Sequence, residues 1–98
     1  MSERIFTFPN YDLAASILGQ QDRHLRMINE VIPAAVVSRG DIVTINGDET
    51  NVTNFERTLA ELVFLHQQGS TITEAQVKIA AKLIAGGKSD IVHTMFED

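Results

Sequence analysis

Ile17-Leu18-Gly19-Gln20-Gln21-Asp22-Arg23-His24-Leu25 is the stretch on which the reading of the fold turns. Before it, Leu13, Ala14, Ile17 and Leu18 recur at helical spacing, and Asn10 stands where a helix cap belongs. After it, Leu25, Ile28 and Ile32 recur at the same spacing, with Met27 and Val31 widening the stripe until Pro33. Gly19 separates the two patterns. The chain is therefore predicted to form two short helices joined by a sharp bend, not one rod. Asp22 is the expected N-cap of the second helix, whose exposed side carries Arg23, Arg26 and Glu30.

Outward from this bend the pattern extends in both directions. Ile5-Phe6-Thr7-Phe8 alternates weakly and ends at Pro9, as a short edge strand does. Ala35-Val36-Val37-Ser38 and Ile42-Val43-Thr44-Ile45 are β-rich and flank Arg39-Gly40-Asp41, which predicts a tight hairpin. A third helix is expected over 51–68, with the stripe Val52, Phe55, Leu59, Leu62, Val63 and His66. Thr53 with Glu56 offers it a capping box, Asn51 competes for the cap, and Gly69 stops it. The fourth helix has a clear start: Thr73 with Gln76 forms a capping box, and Ile72 with Val77 a hydrophobic staple. Val77, Ala80, Ala81 and Ile84 make its buried stripe, which Gly86-Gly87 ends. The order β-α-α-β-β-α plus one helix defines an α+β fold. Its economical form is a three-stranded antiparallel sheet with helices on one face and one extra C-terminal helix. Residues 1–87 make the domain, and 88–98, with Ile91-Val92 and Met95-Phe96, read as a tail or linker stub.

Composition narrows the function. Of 98 residues, 44% are hydrophobic and 21% charged, an ordinary globular balance for one domain. The longest apolar runs, Val31–Val37 and Leu62–Leu65, are too short to cross a bilayer, so no membrane role is expected. With no cysteine, disulfides and thiolate metal sites are excluded. That composition, and a Met1-Ser2-Glu3-Arg4 start without a signal-peptide apolar region, point to a cytoplasmic setting. Thirteen acids against eight bases give a net charge of −5, the wrong sign for a free-standing nucleic-acid binder, which releases counterions with cationic side chains. Any such role must rest on a local patch or on a partner domain.

Several short motifs dissolve under inspection. Gly86-Gly87-Lys88-Ser89 resembles the end of a phosphate-binding loop, but Lys82 occupies the first glycine position and a helix, not a strand, precedes it. Arg39-Gly40-Asp41 reads as a hairpin turn rather than an adhesion tripeptide, and Asn51-Val52-Thr53 as a helix start rather than a glycosylation sequon. Ser89, Asp90 and His93 sit in the tail without the elbow a nucleophile needs. His24, His66 and His93 lack metal-ligand spacing. No catalytic constellation emerges, and no cofactor or metal is expected in this chain.

The bend itself carries chemistry. A glycine between two helices lets backbone approach a phosphate, and the next helix start offers unpaired N–H groups. The layout resembles that of KH modules, which clamp single-stranded nucleic acid with a Gly-x-x-Gly loop between two helices. Here Asp22 replaces the second glycine and brings a charge that repels phosphate. Gly19, Gln20 and Gln21 are the candidates for backbone approach. Arg23 and Arg26 are the candidates for phosphate, with Asp22 setting the loop and limiting affinity.

In the order and spacing of its parts, the chain resembles the amino-terminal KH-like region of PhoH-like ATPases. The resemblance rests on residues 17–25, on Val37-Ser38-Arg39-Gly40-Asp41, on Thr44-Ile45-Asn46-Gly47-Asp48 and on residues 68–77. It covers roughly Phe6 to Ile84. It implies a P-loop ATPase domain beyond this region, absent from these residues, so the chain is expected to be an excised domain or a short form. It also implies ATP as the cofactor of the longer protein and links to phosphate starvation and RNA metabolism. The resulting expectation is a non-catalytic accessory domain that binds RNA or single-stranded nucleic acid weakly. The alternative is a protein-interaction module that docks on the ATPase domain or self-associates through the fourth helix and Met95-Phe96.

Overall fold

Strand β1 (Ser2–Thr7), helix α1 (Tyr11–Leu18), a 3₁₀ turn (Gln20–Asp22) and helix α2 (Arg23–Val31) open the chain. The hairpin β2 (Ala35–Arg39) and β3 (Ile42–Gly47) follows, then α3 (Glu49–Gln67) and α4 (Glu74–Ala85). The computed structural model describes residues 1–88. Ile91-Val92, Met95-Phe96 and the Ser89, Asp90 and His93 group lie outside the described residues. The three strands form one antiparallel sheet in the order β1-β3-β2, which bears out the expected α+β, KH-like architecture.

Period-two alternation divides the sheet into two faces. Val43 and Ile45 of β3 are fully buried under the helices, and Phe6 and Val36 flank them. Helix α3 lays Val52, Phe55, Leu59 and Leu62 into the same core, and α1 adds Ala14 and Ile17. The α4 stripe is just as predicted: Val77, Ala80, Ala81 and Ile84 are buried. Among the described residues, no helix is long and apolar enough to cross a membrane.

Local caps are as legible as the stripes. Asn10 accepts a hydrogen bond from the Leu13 amide at 2.8 Å, and Thr73 and Gln76 close both bonds of the capping box. Asn29 sends its side-chain amide to the carbonyls of Ile32 and Ala34, at 3.2 and 3.0 Å, and so steers the chain from α2 into β2.

Several boundaries differ from expectation, among them the end of β3, which runs on to Gly47. β1 starts at Ser2, because Arg4 on the helix side reaches Glu49 at 3.3 Å and Glu56 at 3.9 Å on α3. It ends at Thr7, although the Phe8 amide still donates to the Asp41 carbonyl and Phe8 is buried edge-on to Phe6. Helix α3 starts at Glu49 after Asp48, whose side chain makes no capping bond, so neither Asn51 nor Thr53 caps it. The Ser2 hydroxyl, and then the Arg4 guanidinium, hold the Glu49 carboxyl below the usual range. Ion pairs this exposed contribute little to stability.

The contrast between core and cap sets an expected order of stability. Leu59→Ala should cost about 2–5 kcal/mol through the cavity it leaves, and Thr73→Ala about 1 kcal/mol through the lost cap. Urea midpoints of the two variants check this ranking.

Candidate functional site

The bend between α1 and α2 is real, and it is tightly constrained. Gly19 sits at φ 78°, and a β-carbon there would meet the His24 ring at 3.1–3.3 Å. That ring packs over the glycine because His24 Nδ1 lies 3.0 Å from the Ile17 carbonyl. A carbonyl only accepts, so Nδ1 carries the proton and closes the end of α1. Gln21 and Asp22 then adopt left-handed conformations, at φ 54° and 57°. Such conformations cost roughly 1–2 kcal/mol per residue for most side chains, somewhat less for Asp.

What holds them is partly distant in sequence. The Ser38 hydroxyl of β2 donates to the Asp22 carboxylate at 2.6 Å in a part-buried setting. The Asp22 amide donates to the Gly19 carbonyl at 3.2 Å, and Arg26 donates to the Gln21 carbonyl. Asp22 therefore does not cap α2 as predicted: its backbone is left-handed and its side chain makes no capping bond. The carboxylate is spent across the molecule, on β2.

Loop and hairpin enclose a cleft of about 320 Å³, lined by Tyr11, Ala15, Leu18, Gly19, Gln21, Asp22, Ser38 and Gly40. Of the candidate residues, Gly19, Gln21 and Asp22 reach this cleft, while Gln20 lies exposed beside it. Arg23 and Arg26 do not line it. Arg23 Nε instead pairs with Glu74 of α4 at 2.8 Å, and Arg26 folds back onto Gln21. Sequence reasoning missed the other lining residues, among them Tyr11 and Ser38, whose side chains carry polar groups. Tyr11 is the sequence's single tyrosine and is 65% exposed at the first turn of α1, a signal that was available.

A larger hollow of about 470 Å³ lies between α1 and the end of α3, lined by Ser16, His66, Gly69, Ser70, Thr71 and Ile72. It holds no charged side chain and borders no strained backbone, so its chemistry is less defined. Nor does the end of α4 suit a nucleotide. The Gly87 and Lys88 amides donate to the Ile84 and Leu83 carbonyls, the bond pair of a helix stop with Gly87 at φ 79°. Those amides face their own helix and offer no phosphate cradle.

A bent helix pair over a three-stranded antiparallel sheet, with a glycine-started loop facing the hairpin, defines a KH-like domain. Comparison with known proteins finds relatives that share one name. The chain is 27% identical over 89 residues to a PhoH-like protein of Bacillus subtilis, covering 91% of this chain and 28% of that protein. It is 29% identical over 75 residues to PhoH-like proteins of Mycobacterium tuberculosis and Mycobacterium leprae, covering 76% of this chain and 21–22% of theirs. The expected likeness to PhoH-like proteins is borne out, and the chain spans about a quarter of the length of these relatives. No family model matches the chain, and no solved structure does.

The Ser38–Asp22 bond is directly testable. Ser38→Ala leaves a part-buried carboxylate without its donor and should cost about 1–3 kcal/mol. Asp22→Gly loses the same bond but relieves left-handed strain, so its cost should be smaller by about 1 kcal/mol. Urea midpoints of the two variants measure the difference.

Proposed function

We propose that the chain is a non-catalytic accessory domain of a PhoH-like, ATP-binding protein, and that its cleft contacts RNA or single-stranded DNA weakly. The observation that supports this reading is the cleft itself: a preformed loop faces an exposed tyrosine across a gap open to solvent. Gly19, Gln20 and Gln21 offer backbone at close approach, and the Tyr11 ring offers a base-stacking surface worth roughly 1–3 kcal/mol. Arg26 lies beside the loop and Arg23 is shared with Glu74, so phosphate attraction is modest. Asp22 opposes it, and so does the net charge of −5. ATP belongs, on this reading, to the rest of the longer protein, and the setting is cytoplasmic.

A second reading, docking on an ATPase domain or self-association, has its own support. The apolar stripe of α4 is consumed inside the fold, but the far face of the sheet exposes Ile5, Val37 and Ile42.

An NMR titration with a short single-stranded RNA tests the first reading. Shifts should centre on Tyr11, residues 19–26 and Ser38, with a dissociation constant no tighter than about 10 μM near physiological salt. Asp22→Gly should tighten binding several-fold by removing a carboxylate from the loop. Shifts lying wholly outside these residues would remove the site. The chain alone should hydrolyse no ATP, and activity that survives repurification would overturn its non-catalytic assignment.

A further inference from the structure

The sheet face turned away from the helices carries a regular charge and apolar pattern. The register places Ile5, Thr44 and Val37 in one row across the three strands, and Ile42 and Arg39 in the next. Glu3 stands one row back from Ile5, so Glu3 and Arg39 occupy diagonal corners with Thr44 at the centre. From strand spacing and rise, that diagonal is about 17 Å long. Ile5, Val37 and Ile42, which lie between the corners, are 60%, 55% and 41% exposed. Neither Glu3 nor Arg39 has an ion-pair partner among the described residues.

We propose that this face is the contact between two copies of the chain, packed sheet to sheet about a two-fold axis. The axis lies in the plane between the sheets, passes over Thr44 and runs perpendicular to the Glu3–Arg39 diagonal. In that arrangement Glu3 of each copy meets Arg39 of the other, so two ion pairs form from one pair of residues. Ile5 of each copy lies against Ile42 of the other. The strands of the two sheets then cross at about 70°, close to the orthogonal class of sheet packing. Self-complementarity is what a two-fold contact demands, since one patch must serve as both halves. One acid and one base also leave the patch neutral in a chain of net charge −5, which removes the repulsion that opposes self-association elsewhere on its surface.

Size sets the strength. Three strands with three outward residues each give far fewer than the roughly 20–30 residues a side of a standard interface. The dissociation constant is therefore expected at about 0.1–1 mM. This contact lies on the opposite side of the sheet from the cleft and does not rest on the nucleic-acid reading.

Sedimentation of the 98-residue chain over a concentration series tests it. Monomer should dominate at about 10 μM and dimer at a few mM, as the expected constant requires. Glu3→Arg and Arg39→Glu should each weaken dimerisation at least about fivefold by setting like charges face to face. The double variant Glu3→Arg/Arg39→Glu should restore it. Mixing the two single variants should restore it as well, because each brings the charge the other lacks. Glu3, Arg39 and Ile5 are exposed, so each variant should keep the parent's circular dichroism spectrum. A chain that stays monomeric throughout overturns the proposal, and so does a double variant no better than the singles. An Ile5→Asp variant that dimerises like the parent overturns it too, and another protein or a nucleic acid as occupant would leave the chain monomeric.

Discussion

Two short helices bury one face each in the same core, and four residues must turn the chain between them. That constraint governs the molecule. Gly19 supplies the first positive φ without a β-carbon, and Gln21 and Asp22 must then follow it into left-handed backbone. Two such residues cost roughly 1–4 kcal/mol together, while a hydrogen bond to a charged group returns about 1.5–3 kcal/mol. The balance closes because β2 delivers Ser38 to Asp22, and because the His24 imidazole and Arg26 guanidinium fasten the loop from its own side. The bend is thus a tertiary feature: without the hairpin in place, the loop has little reason to hold its shape.

That explains which parts of the fold were legible. Asn10, the Thr73–Gln76 box and the α4 stripe are settled within one or two helical turns, so the sequence pattern identifies them; in α3 the pattern finds Val52, Phe55, Leu59, Leu62 and Val63 but includes half-buried His66 and omits buried Thr58 and Leu65. Asp22 fails for the opposite reason. As an isolated tripeptide neighbour it is a good helix cap, but its partner lies sixteen residues away, on a strand that local spacing does not place. Strand β1 extends back past the Ile5–Phe8 alternation to Ser2 and so takes in Arg4. In the fold its long side chain crosses to α3 and meets two carboxylates. The sheet order is of the same kind, since β1 pairs with β3 rather than β2 through contacts that no local signal encodes. At the cleft, Gly19, Gln21 and Asp22 were legible from the loop motif. Tyr11 and Ser38 come together there by topology alone.

The same nonlocal bonds temper the electrostatics of the site. In the sequence, Arg23 and Arg26 read as free cations beside a phosphate-sized gap. In the fold Arg23 serves α4, and Arg26 serves the backbone of the loop. An approaching anion must compete with Glu74 for Arg23. An exposed pair of this kind is worth at most about 1 kcal/mol, so the competition is a brake and not a lock. Asp22 lines the same gap, so the one charged side chain on it is acidic.

β2 joins this cleft to the other surface of the molecule, and its alternation keeps the two apart. Ser38 points toward the helices and pins the loop, while Val37 and Arg39, its immediate neighbours, point away from them. A strand has no other way to arrange consecutive side chains, since the period is two. Substitutions on the outer face therefore leave the Ser38–Asp22 bond in place, and changes in the loop leave the apolar row with its diagonal charges intact. One short strand thus carries consecutive side chains to two faces whose chemistry can be varied separately.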